Sequence, residues 1–279
     1  MPPLRSLVKR LFPDTEKQDE QEQAAPPVQR TLTKEEEEIQ ARIASIPHWH
    51  HQIEVAPGIV TPGVSNTAQR LEWYEFPEDL SGKRVLDIGC YEGFFTFECE
   101  RRGAEVVAID VLPLGPQSGF SLAHELLGSK ATFHQTSIYD LTPERFGTFD
   151  LVLCFGVLYH LRHPLLGLER AHSVCRDMFI LETQICDKYF INAEGVPVDL
   201  STVAPELAQL PIAQFYPRGE LNHDPSNWWS PNLPAVDGML RSTGFIPHKV
   251  IHNGVRACVH CTRTEPEIFY PGERPDLSV

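Results

Sequence analysis

Short apolar runs alternate with segments of helix length between Lys83 and Glu182, and this alternation constrains the fold more than any other feature. The runs have the length and composition of buried strands and cover Arg84–Ile88, Glu105–Asp110, Thr132–Thr136, Phe149–Cys154 and Met178–Glu182. The predicted helices between them cover Phe94–Arg102, Gly115–Leu127 and Leu165–Val174. Strands separated by helices in this way form a parallel, doubly wound sheet. The chain is therefore predicted to have an α/β, Rossmann-like fold.

The sequence after this region predicts a different end to the sheet. Ser230 and Pro231 are typical of a helix N-cap and first turn, and Gly244 is typical of a helix end. Two strands, Phe245–Ile251 and Val255–Arg263, then follow with an Asn-Gly turn between them, which is a strong hairpin signal. An antiparallel final hairpin would bring the sheet to seven strands and would distinguish it from the all-parallel dinucleotide-binding fold.

Changes in composition indicate where the ordered domain begins and ends. Residues 1–32 are predicted to be a disordered tail, residues 33–80 an N-terminal helix and lead-in segment, and residues 266–279 a C-terminal tail. The α/β domain is expected to span residues 81–265. Its segment 183–231 is rich in proline and aromatic residues, and we interpret it as a helical or irregular insert that forms a lid over the substrate pocket.

The N-terminal region has two features of its own. Leu4, Leu7, Val8 and Leu11 share one face of a short basic helix, which could touch a membrane surface or could be a solvated extension. A capping box at Thr33–Glu36 predicts that order begins there. No apolar run approaches the length of a membrane span, so no stable membrane insertion is expected.

Charge and cysteine content narrow the class of protein. The 38 acidic residues outnumber the 24 basic residues, which gives a net charge of −14. Proteins that bind a phosphate backbone usually carry a basic surface, so this balance argues against nucleic acid as substrate, although a local basic patch could exist. Seven scattered cysteines and the lack of an N-terminal apolar block favour a reducing, cytoplasmic location.

The predicted ligand site begins at the end of the first strand. Asp87, Gly89 and Gly93 have the spacing Asp-x-Gly-x-x-x-Gly, where glycines let the backbone approach a ligand closely. A dinucleotide site would need Gly-x-Gly-x-x-Gly for its pyrophosphate, but Tyr91 occupies the middle position. An acidic residue here suits an ammonium group and would repel a pyrophosphate. The motif therefore favours S-adenosylmethionine (SAM) over a dinucleotide, or else an unrelated domain in which the glycines serve only packing.

Further cofactor contacts are expected where the next parallel strands end. Asp110 ends the second strand, where a carboxylate can accept hydrogen bonds from both ribose hydroxyls. Two of the remaining positions are expected to edge the adenine, and the others follow the second and fourth strands. These predicted contacts are Val111, Ser137, Ile138, Phe155, Gly156 and Tyr159, and Tyr91 in the glycine loop is expected to contact the cofactor as well.

A family resemblance is carried by Val85–Cys90, Phe149–Asp150, Gly156–His160 and Pro164. These residues resemble class I SAM-dependent methyltransferases, and within that class the branch of the bacterial tRNA wobble-uridine (U34) methyl- and carboxymethyltransferases. The resemblance implies a seven-stranded methyltransferase sheet, SAM as cofactor and a contact between the cofactor and Tyr159.

Two features of that branch are missing from this chain. The branch holds a carboxylated SAM with basic residues upstream of the glycine motif, whereas the corresponding segment here contains Arg70 and a few histidines. The branch also has Arg-Asn in its late insert, whereas Ser226 precedes Asn227 here. Both departures favour ordinary SAM, and a small-molecule acceptor over tRNA.

Methyl transfer from a sulfonium is an in-line displacement, so the enzyme mainly aligns the acceptor with the methyl group. A hydroxyl acceptor must also lose a proton to a base, usually a histidine or a carboxylate. His160 is the first candidate for this base, and His223 with Asp224 in the insert are the second candidates. The alternatives are a structural histidine bonded to the backbone at position 160, and a solvated loop for the other two residues.

No metal site is predicted. Cys258 and Cys261 lie in a predicted strand, where residues three apart point to opposite faces and cannot share an ion. No second Cys-x-x-Cys pair would complete four ligands. A site that combines the histidines near His50 with His223 or Asp224 is the minor alternative.

The function predicted from the sequence is transfer of a methyl group from SAM to oxygen on a small molecule or glycoside. A tRNA U34 methyl- or carboxymethyltransferase is the alternative, and a basic groove leading to Tyr159 would support it. A protein that binds SAM without catalysis is disfavoured, because the set of Asp87, Gly89, Gly93 and Asp110 is intact. These residues do not identify the acceptor or the oligomeric state.

Overall fold

The computed structural model of the protein describes residues 32–115 and 117–266. The basic helix predicted near the N-terminus lies outside the described residues, as does the predicted C-terminal tail beyond Pro266. Within the described ranges, no helix combines the length and the apolar character that crossing a membrane would need. All seven cysteines are described, and each is free and buried.

The chain divides between Glu38 and Ile39. Before this division, the predicted capping box is confirmed. The Thr33 hydroxyl accepts a hydrogen bond from the Glu36 N–H at 3.2 Å, and the Glu36 carboxylate accepts one from the Thr33 N–H at 2.7 Å. The box begins helix α1 (Lys34–Ala44) because it satisfies two N–H groups that have no partner within the helix.

The lead-in segment contains short regular elements. Strands β1 (Glu54–Ala56) and β2 (Ile59–Val60) pair as a hairpin, and helix α2 (Thr67–Trp73) follows. A Cβ atom at Gly63 would lie 2.1 Å from the backbone carbonyl carbon of His51, so a side chain does not fit there. This close approach holds the histidines that precede β1 against the segment that follows β2.

From Arg84 onward, strands and helices alternate as predicted, with one short helix, Pro143–Phe146, that was not predicted. The elements are β3 (Arg84–Ile88), α3 (Phe94–Arg101), β4 (Glu105–Asp110), α4 (Gly119–Leu127), β5 (Thr132–Gln135), α5 (Pro143–Phe146), β6 (Phe149–Phe155), α6 (Pro164–Val174) and β7 (Cys175–Gln184). Two 3₁₀ turns, Ile138–Asp140 and Leu158–His160, follow β5 and β6.

The insert contains two short antiparallel sheets in addition to helical and irregular structure. Its elements are β8 (Tyr189–Ile191), β9 (Pro197–Asp199), α7 (Leu200–Val203), a 3₁₀ turn (Pro205–Gln209), β10 (Ala213–Phe215) and β11 (Trp229–Pro231). Strand β8 pairs with β9, and β10 pairs with β11. Strands this short have no local periodicity, so the sequence did not reveal them.

The helix predicted to begin after Ser230 begins two residues later. Helix α8 (Leu233–Ser242) is capped by Asn232, whose side chain accepts a first-turn backbone N–H at 3.1 Å. The prediction of an N-cap at Ser230 was wrong, because Ser230 belongs to β11. The Asn232 side chain also accepts the N–H of Ile212 at 3.1 Å, so the cap position is set by a contact that is distant in sequence.

Strands β12 (Phe245–His252) and β13 (Arg256–Arg263) form the predicted final hairpin. The seven-stranded sheet has the order β12-β13-β7-β6-β3-β4-β5. Strands β3 to β7 pair in parallel, and β13 pairs antiparallel with β7. The predicted Rossmann-like sheet with an antiparallel end is confirmed.

The central strands are buried on both faces of the sheet. Val85 and Leu86 are neighbours in β3, and both are fully buried. Val85 packs into a cluster that includes Phe97 and Phe120 from α3 and α4. Leu86 packs into a second cluster on the other face, which includes residues of α6, α8 and the final strands. A parallel sheet covered on both faces requires apolar residues on both sides of each strand, which explains the continuous apolar runs.

The strand order creates a crevice at one edge. From β3 the chain continues to one side through β4 and β5, and it then returns to the other side of β3 for β6. Ligands of open α/β sheets bind at such a switch point, outside the carboxyl ends of the strands.

Candidate functional site

A cavity of 1080 Å³ opens at the carboxyl ends of β3, β4 and β6. Its wall combines the sheet edge with residues from the lead-in segment and from the insert. The predicted site residues that line it are Gly89, Tyr91, Asp110, Val111, Ser137, Ile138, Phe155, Gly156, Tyr159, His160 and Asp224. The predicted residues Asp87, Gly93 and His223 are not part of this wall.

The two glycines of the motif have different surroundings. Gly89 has a φ of +72°, and a Cβ atom there would lie 2.3 Å from a methyl group of Val157, which follows β6. Gly93 has a φ of +89°, and a Cβ atom there would lie 2.7–2.8 Å from the rings of Phe97 and Phe120. Gly89 therefore lets the segment after β6 approach the glycine loop closely, whereas Gly93 lets α3 pack against α4.

Asp110 fastens the loop that crosses this crevice. One carboxylate oxygen accepts the N–H of Tyr91 at 2.9 Å, and the other accepts the N–H of Leu112 at 2.9 Å. Each oxygen of a carboxylate has a second lone pair, so the group can still accept hydrogen bonds from two hydroxyls of a ligand. Asp110 is thus both a brace for the glycine loop and an available acceptor on the wall.

Asp87 is buried behind the wall, with 2% of its surface exposed. The Thr96 hydroxyl donates to its carboxylate at 2.6 Å. Burial raises the pKa of the Asp87 carboxyl to about 6, against the opposing effect of the Thr96 hydrogen bond. The structure therefore places Asp87 beneath the glycine loop, and its direct contact with an ammonium group stays a prediction.

We expect Asp87→Asn to stabilise the protein in a pH-dependent way. The raised pKa means that the folded state retains this proton between pH 3.8 and about 6, so stability falls as pH rises through that window. Asparagine does not ionise, and the difference in unfolding free energy should shift toward the variant by about 2 kcal/mol between pH 4 and pH 7.5. Urea unfolding at both pH values measures this shift. The exposed Asp79→Asn is the control, and a pH-independent difference for Asp87→Asn would contradict the burial argument.

An ion pair between a buried carboxylate and a partly exposed arginine lies at the carboxyl end of β7. The Arg256 guanidinium donates through Nε to one carboxylate oxygen of Glu182 and through Nη2 to the other, the second at 2.7 Å. The same Nη2 donates to the Tyr159 hydroxyl at 3.3 Å. Burial opposes the charged form of Arg256, but the adjacent carboxylate raises its pKa well above the usual value. Arg256, Glu182 and Tyr159 all line the cavity, and this part of its wall is polar but carries no net charge.

Ser226 lies between two of the candidate bases, His160 and Asp224, and contacts both of them. His160 Nδ1 lies 2.9 Å from the Ser226 hydroxyl and 3.2 Å from the Ser226 carbonyl oxygen. The Ser226 hydroxyl donates to the Asp224 carboxylate at 2.6 Å. His223, by contrast, lies in a left-handed turn with φ +57° and does not reach the wall.

The lead-in segment contributes a histidine–carboxylate pair. Glu92, which is 4% exposed, accepts the N–H of His50 at 2.7 Å, and its other oxygen lies 2.9 Å from His51 Nδ1. Burial lowers the pKa of His50 to about 4, so this ring is neutral at pH 7. Both histidines and Arg70 line the cavity.

Among residues 32–115 and 117–266, no group of three or more histidine, cysteine, aspartate or glutamate side chains is arranged to hold a metal ion. Cys258 and Cys261 pack into the hydrophobic clusters on opposite faces of the sheet. Their placement agrees with the alternation expected of a strand.

The methyltransferase domain family matches residues 65–223, which include the glycine loop and the ends of β4 and β6. The chain belongs to this family. The class I SAM-dependent methyltransferase predicted from the sequence is therefore confirmed, and with it SAM as the cofactor.

Curated relatives of this methyltransferase act on different acceptors by name. A magnesium-protoporphyrin O-methyltransferase of Rhodobacter capsulatus is 41% identical over 35% of this chain and 45% of its own length. A tRNA U34 carboxymethyltransferase of Azotobacter vinelandii is 28% identical over 70% of this chain and 58% of its own length. A ubiquinone biosynthesis O-methyltransferase of the same organism is 33% identical over 38% and 46%. The chain thus spans about half the length of the curated relatives it matches.

Solved structures share the fold of the methyltransferase. The N-terminal domain of EvdMO1, in a structure with SAH bound, superposes with a TM-score of 0.54 at 18% identity over 82% of this chain and 96% of that chain. An S-adenosylmethionine dependent methyltransferase from Mesorhizobium loti superposes with a TM-score of 0.51 at 14% identity over 72% and 99%. These identities support the fold and carry no information about the acceptor.

Several wall residues of the methyltransferase were not predicted as site residues. They are His50, His51, Ser65, Thr67, Arg70, Tyr74, Arg162, Glu182, Asn222, Ser226 and Arg256. Most lie in the lead-in segment, in the insert or at the antiparallel end of the sheet. Glu182 and Arg256 offered a signal, because a carboxylate and a guanidinium in strands must find partners when they are buried.

Proposed function

We propose that the chain transfers the methyl group of SAM to a hydroxyl oxygen of a small molecule or glycoside. SAM supplies an activated, sulfonium-bound methyl group. The observation that carries the proposal is that one cavity is lined both by Asp110 at the sheet edge and by a histidine, His160, with a hydrogen-bonded support. A hydroxyl acceptor needs a base, so such a histidine suits transfer to oxygen.

The residues of the sheet edge suit the parts of SAM. The Asp110 carboxylate has free lone pairs for the ribose hydroxyls, and Ser137 with Ile138 lies where β5 ends, as expected for an adenine edge. The SAM carboxylate needs a cation. Arg70 lines the cavity and makes no ion pair with the other described residues, whereas Arg256 is neutralised by Glu182. We assign the carboxylate to Arg70.

A small acceptor fits the charge of the wall better than tRNA does. Its arginines are Arg70, Arg162 and Arg256, and the last is paired. Arg162 stacks on the ring of Trp228 at 4.0 Å. With a net charge of −14, the protein lacks the excess of basic residues usual in proteins that bind a phosphate backbone. Relatives named as O-methyltransferases agree with this proposal.

The insert is proposed to cover the acceptor. Asn222, Asp224, Ser226 and Asn227 reach the cavity from the last part of residues 183–231. The backbone N–H of Trp228 also donates to the Tyr159 carbonyl at 2.8 Å, which fastens the insert to the end of β6. The acceptor is therefore expected to sit between the insert and the cofactor. A cytoplasmic location remains part of the proposal, supported by the seven free cysteines.

The alternative function is tRNA U34 methyl- or carboxymethyltransfer, supported by the relative that matches 70% of the chain. Incubation with methyl-labelled SAM and a cell extract, with and without nuclease, separates the two. Label in a nuclease-resistant small molecule, identified by mass, supports O-methylation. Label that nuclease releases from RNA supports the alternative. No label in any product, together with no binding of SAM by calorimetry, would overturn both.

Asp110→Ala is expected to weaken SAM binding by about 1–3 kcal/mol, because it removes an acceptor for two ribose hydroxyls and loosens the glycine loop. Titration calorimetry with SAM measures the loss. Asp79→Ala, at an exposed carboxylate outside the cavity, is the matched control and should bind like the parent. Equal affinity of the Asp110 variant and the parent would remove Asp110 from the cofactor site.

A further inference from the structure

Ser226 lies between two candidate bases that come from separate parts of the chain. His160 belongs to the 3₁₀ turn after β6, and Asp224 and Ser226 belong to the insert. The three side chains form one hydrogen-bonded row, with 2.6 Å between Ser226 Oγ and Asp224 Oδ1 and 2.9 Å between Ser226 Oγ and His160 Nδ1. All three residues line the cavity.

The direction of each hydrogen bond in this row follows from the chemistry of the groups. An ionised carboxylate only accepts, so the Ser226 hydroxyl proton points to Asp224. The hydroxyl oxygen then faces His160 Nδ1 with a lone pair. The Ser226 carbonyl, 3.2 Å from the same nitrogen, is also an acceptor. Because both oxygens of Ser226 that face Nδ1 are acceptors, Nδ1 must carry the proton. The free lone pair of the neutral ring is then on Nε2.

We propose that Ser226 is a positioning residue that, together with Asp224, holds His160 as the Nδ1–H tautomer, so that Nε2 receives the proton of the methyl acceptor. This inference rests on the proposed function. In the step, the acceptor O–H gives its proton to Nε2, and the oxygen electron pair forms the bond to the methyl carbon. The carbon–sulfur pair remains on sulfur, which becomes a neutral thioether. The acceptor class is therefore one that loses a proton on methylation.

The surroundings of the ring agree with this role. The charged or titratable groups that face His160 are Asp224, Arg256 and Tyr159, whose ring lies 4.3 Å from the imidazole. Burial lowers the pKa of His160, against the Ser226 hydrogen bond and the Asp224 charge, so the ring is neutral near pH 7. Burial alone would raise the pKa of Asp224, but the hydrogen bonds from Ser226 outweigh burial and hold this pKa below its usual value. The carboxylate therefore stays charged.

The insert contains a second Asp-x-Ser turn, at Ser201, that can be compared with the turn at Ser226. The Ser201 hydroxyl donates to Asp199 at 2.6 Å and its N–H donates to the same oxygen at 2.9 Å. The corresponding distances from Ser226 to Asp224 are 2.6 Å and 2.8 Å. The turn at Ser201 is exposed and lies outside the cavity wall. Such a turn forms without an imidazole, so the contact with His160 is an addition to it.

The test is nitrogen NMR of histidine-labelled protein, with His160→Gln used to identify the resonances of the ring. The parent is expected to show Nδ1–H at pH values where the ring is neutral. Ser226→Ala should shift the ring toward the Nε2–H tautomer, Ser226→Thr should restore Nδ1–H, and Ser201→Ala should leave it unchanged. A parent ring in the Nε2–H form would overturn the inference, and so would an unchanged ring in Ser226→Ala.

Kinetics and binding give a second, independent readout. With the acceptor found by labelling, Ser226→Ala should lower kcat about 10- to 100-fold and leave the KM for SAM unchanged. Asp224→Asn keeps an acceptor oxygen for the Ser226 hydroxyl, so this variant replaces Ser226→Ala as the test if Ser226→Ala does not fold. It should lower the pKa of His160 in an NMR titration, and an unchanged pKa would contradict the role of Asp224. If SAM binds but the tautomer differs, only this inference fails. If SAM does not bind the parent, the proposed function fails.

Discussion

Replacing His160 with glutamine is expected to lower kcat by about 10²- to 10⁴-fold, the usual contribution of a general base. Glutamine approximates the shape of the ring and can still donate a hydrogen bond to Ser226, but its side chain cannot take up a proton near pH 7. The affinity for SAM should change less than about twofold, since Asp110 and the glycine loop are untouched. Measurement requires initial rates with the identified acceptor, together with calorimetry for SAM.

The matched control for this experiment is His163→Gln. His163 also lines the cavity, in the turn that precedes α6, but it has no part in the row with Ser226 and Asp224. Parallel losses of turnover and of SAM affinity in the His160 variant would instead indicate a structural histidine. A small loss of turnover would point to an acceptor that needs no base.

The second large effect is expected for Arg256→Met, which should lower the free energy of unfolding by about 3 kcal/mol. The substitution leaves the Glu182 carboxylate, whose side chain is 3% exposed, without its ionic partner in a buried position. Removing one member of a buried pair costs much more than the pair contributes, because the remaining charge is left desolvated. The measurement is urea unfolding at pH 7.5.

A double-variant cycle separates the stranded charge from lost packing. Arg256→Met combined with Glu182→Gln should be more stable than Arg256→Met alone, since no unpaired carboxylate remains. The control pair is Arg176 with Asp150, where 51% of the arginine side chain is exposed, and Arg176→Met should cost less than about 1 kcal/mol. Additive losses at Arg256 and Glu182 would show that the pair is not electrostatically coupled.

The sheet could be predicted because its information is local. Buried parallel strands need continuous apolar runs, and the Asn253-Gly254 turn indicates a hairpin without reference to the rest of the chain. The two short sheets of the insert were not predicted, since each strand has only three residues. The N-cap was placed at Ser230 instead of Asn232 for a related reason, because strand pairing outweighed a good local signal.

The candidate site was predictable where ligand contacts follow strand ends. Gly89, Asp110 and Gly156 follow from that rule, and all three line the cavity. Residues that act through partners distant in sequence were not predictable. Arg256 meets Glu182 across 74 positions, and Ser226 meets His160 across 66. The sequence gives the residue types but not these pairings, so His160 and Asp224 were separate candidates and Ser226 was no more than a departure from a family pattern.

The position of the insert has a consequence for how such an enzyme can change its acceptor. Everything assigned to the adenosine part of SAM comes from the sheet edge, whereas the support for His160 comes from residues 224–226. Under the proposed function, one contiguous stretch of chain would set both the shape of the acceptor pocket and the protonation of the histidine that deprotonates the acceptor. A chimera that exchanged this stretch between relatives would be expected to alter regiochemistry and proton removal together, while its affinity for SAM stayed the same.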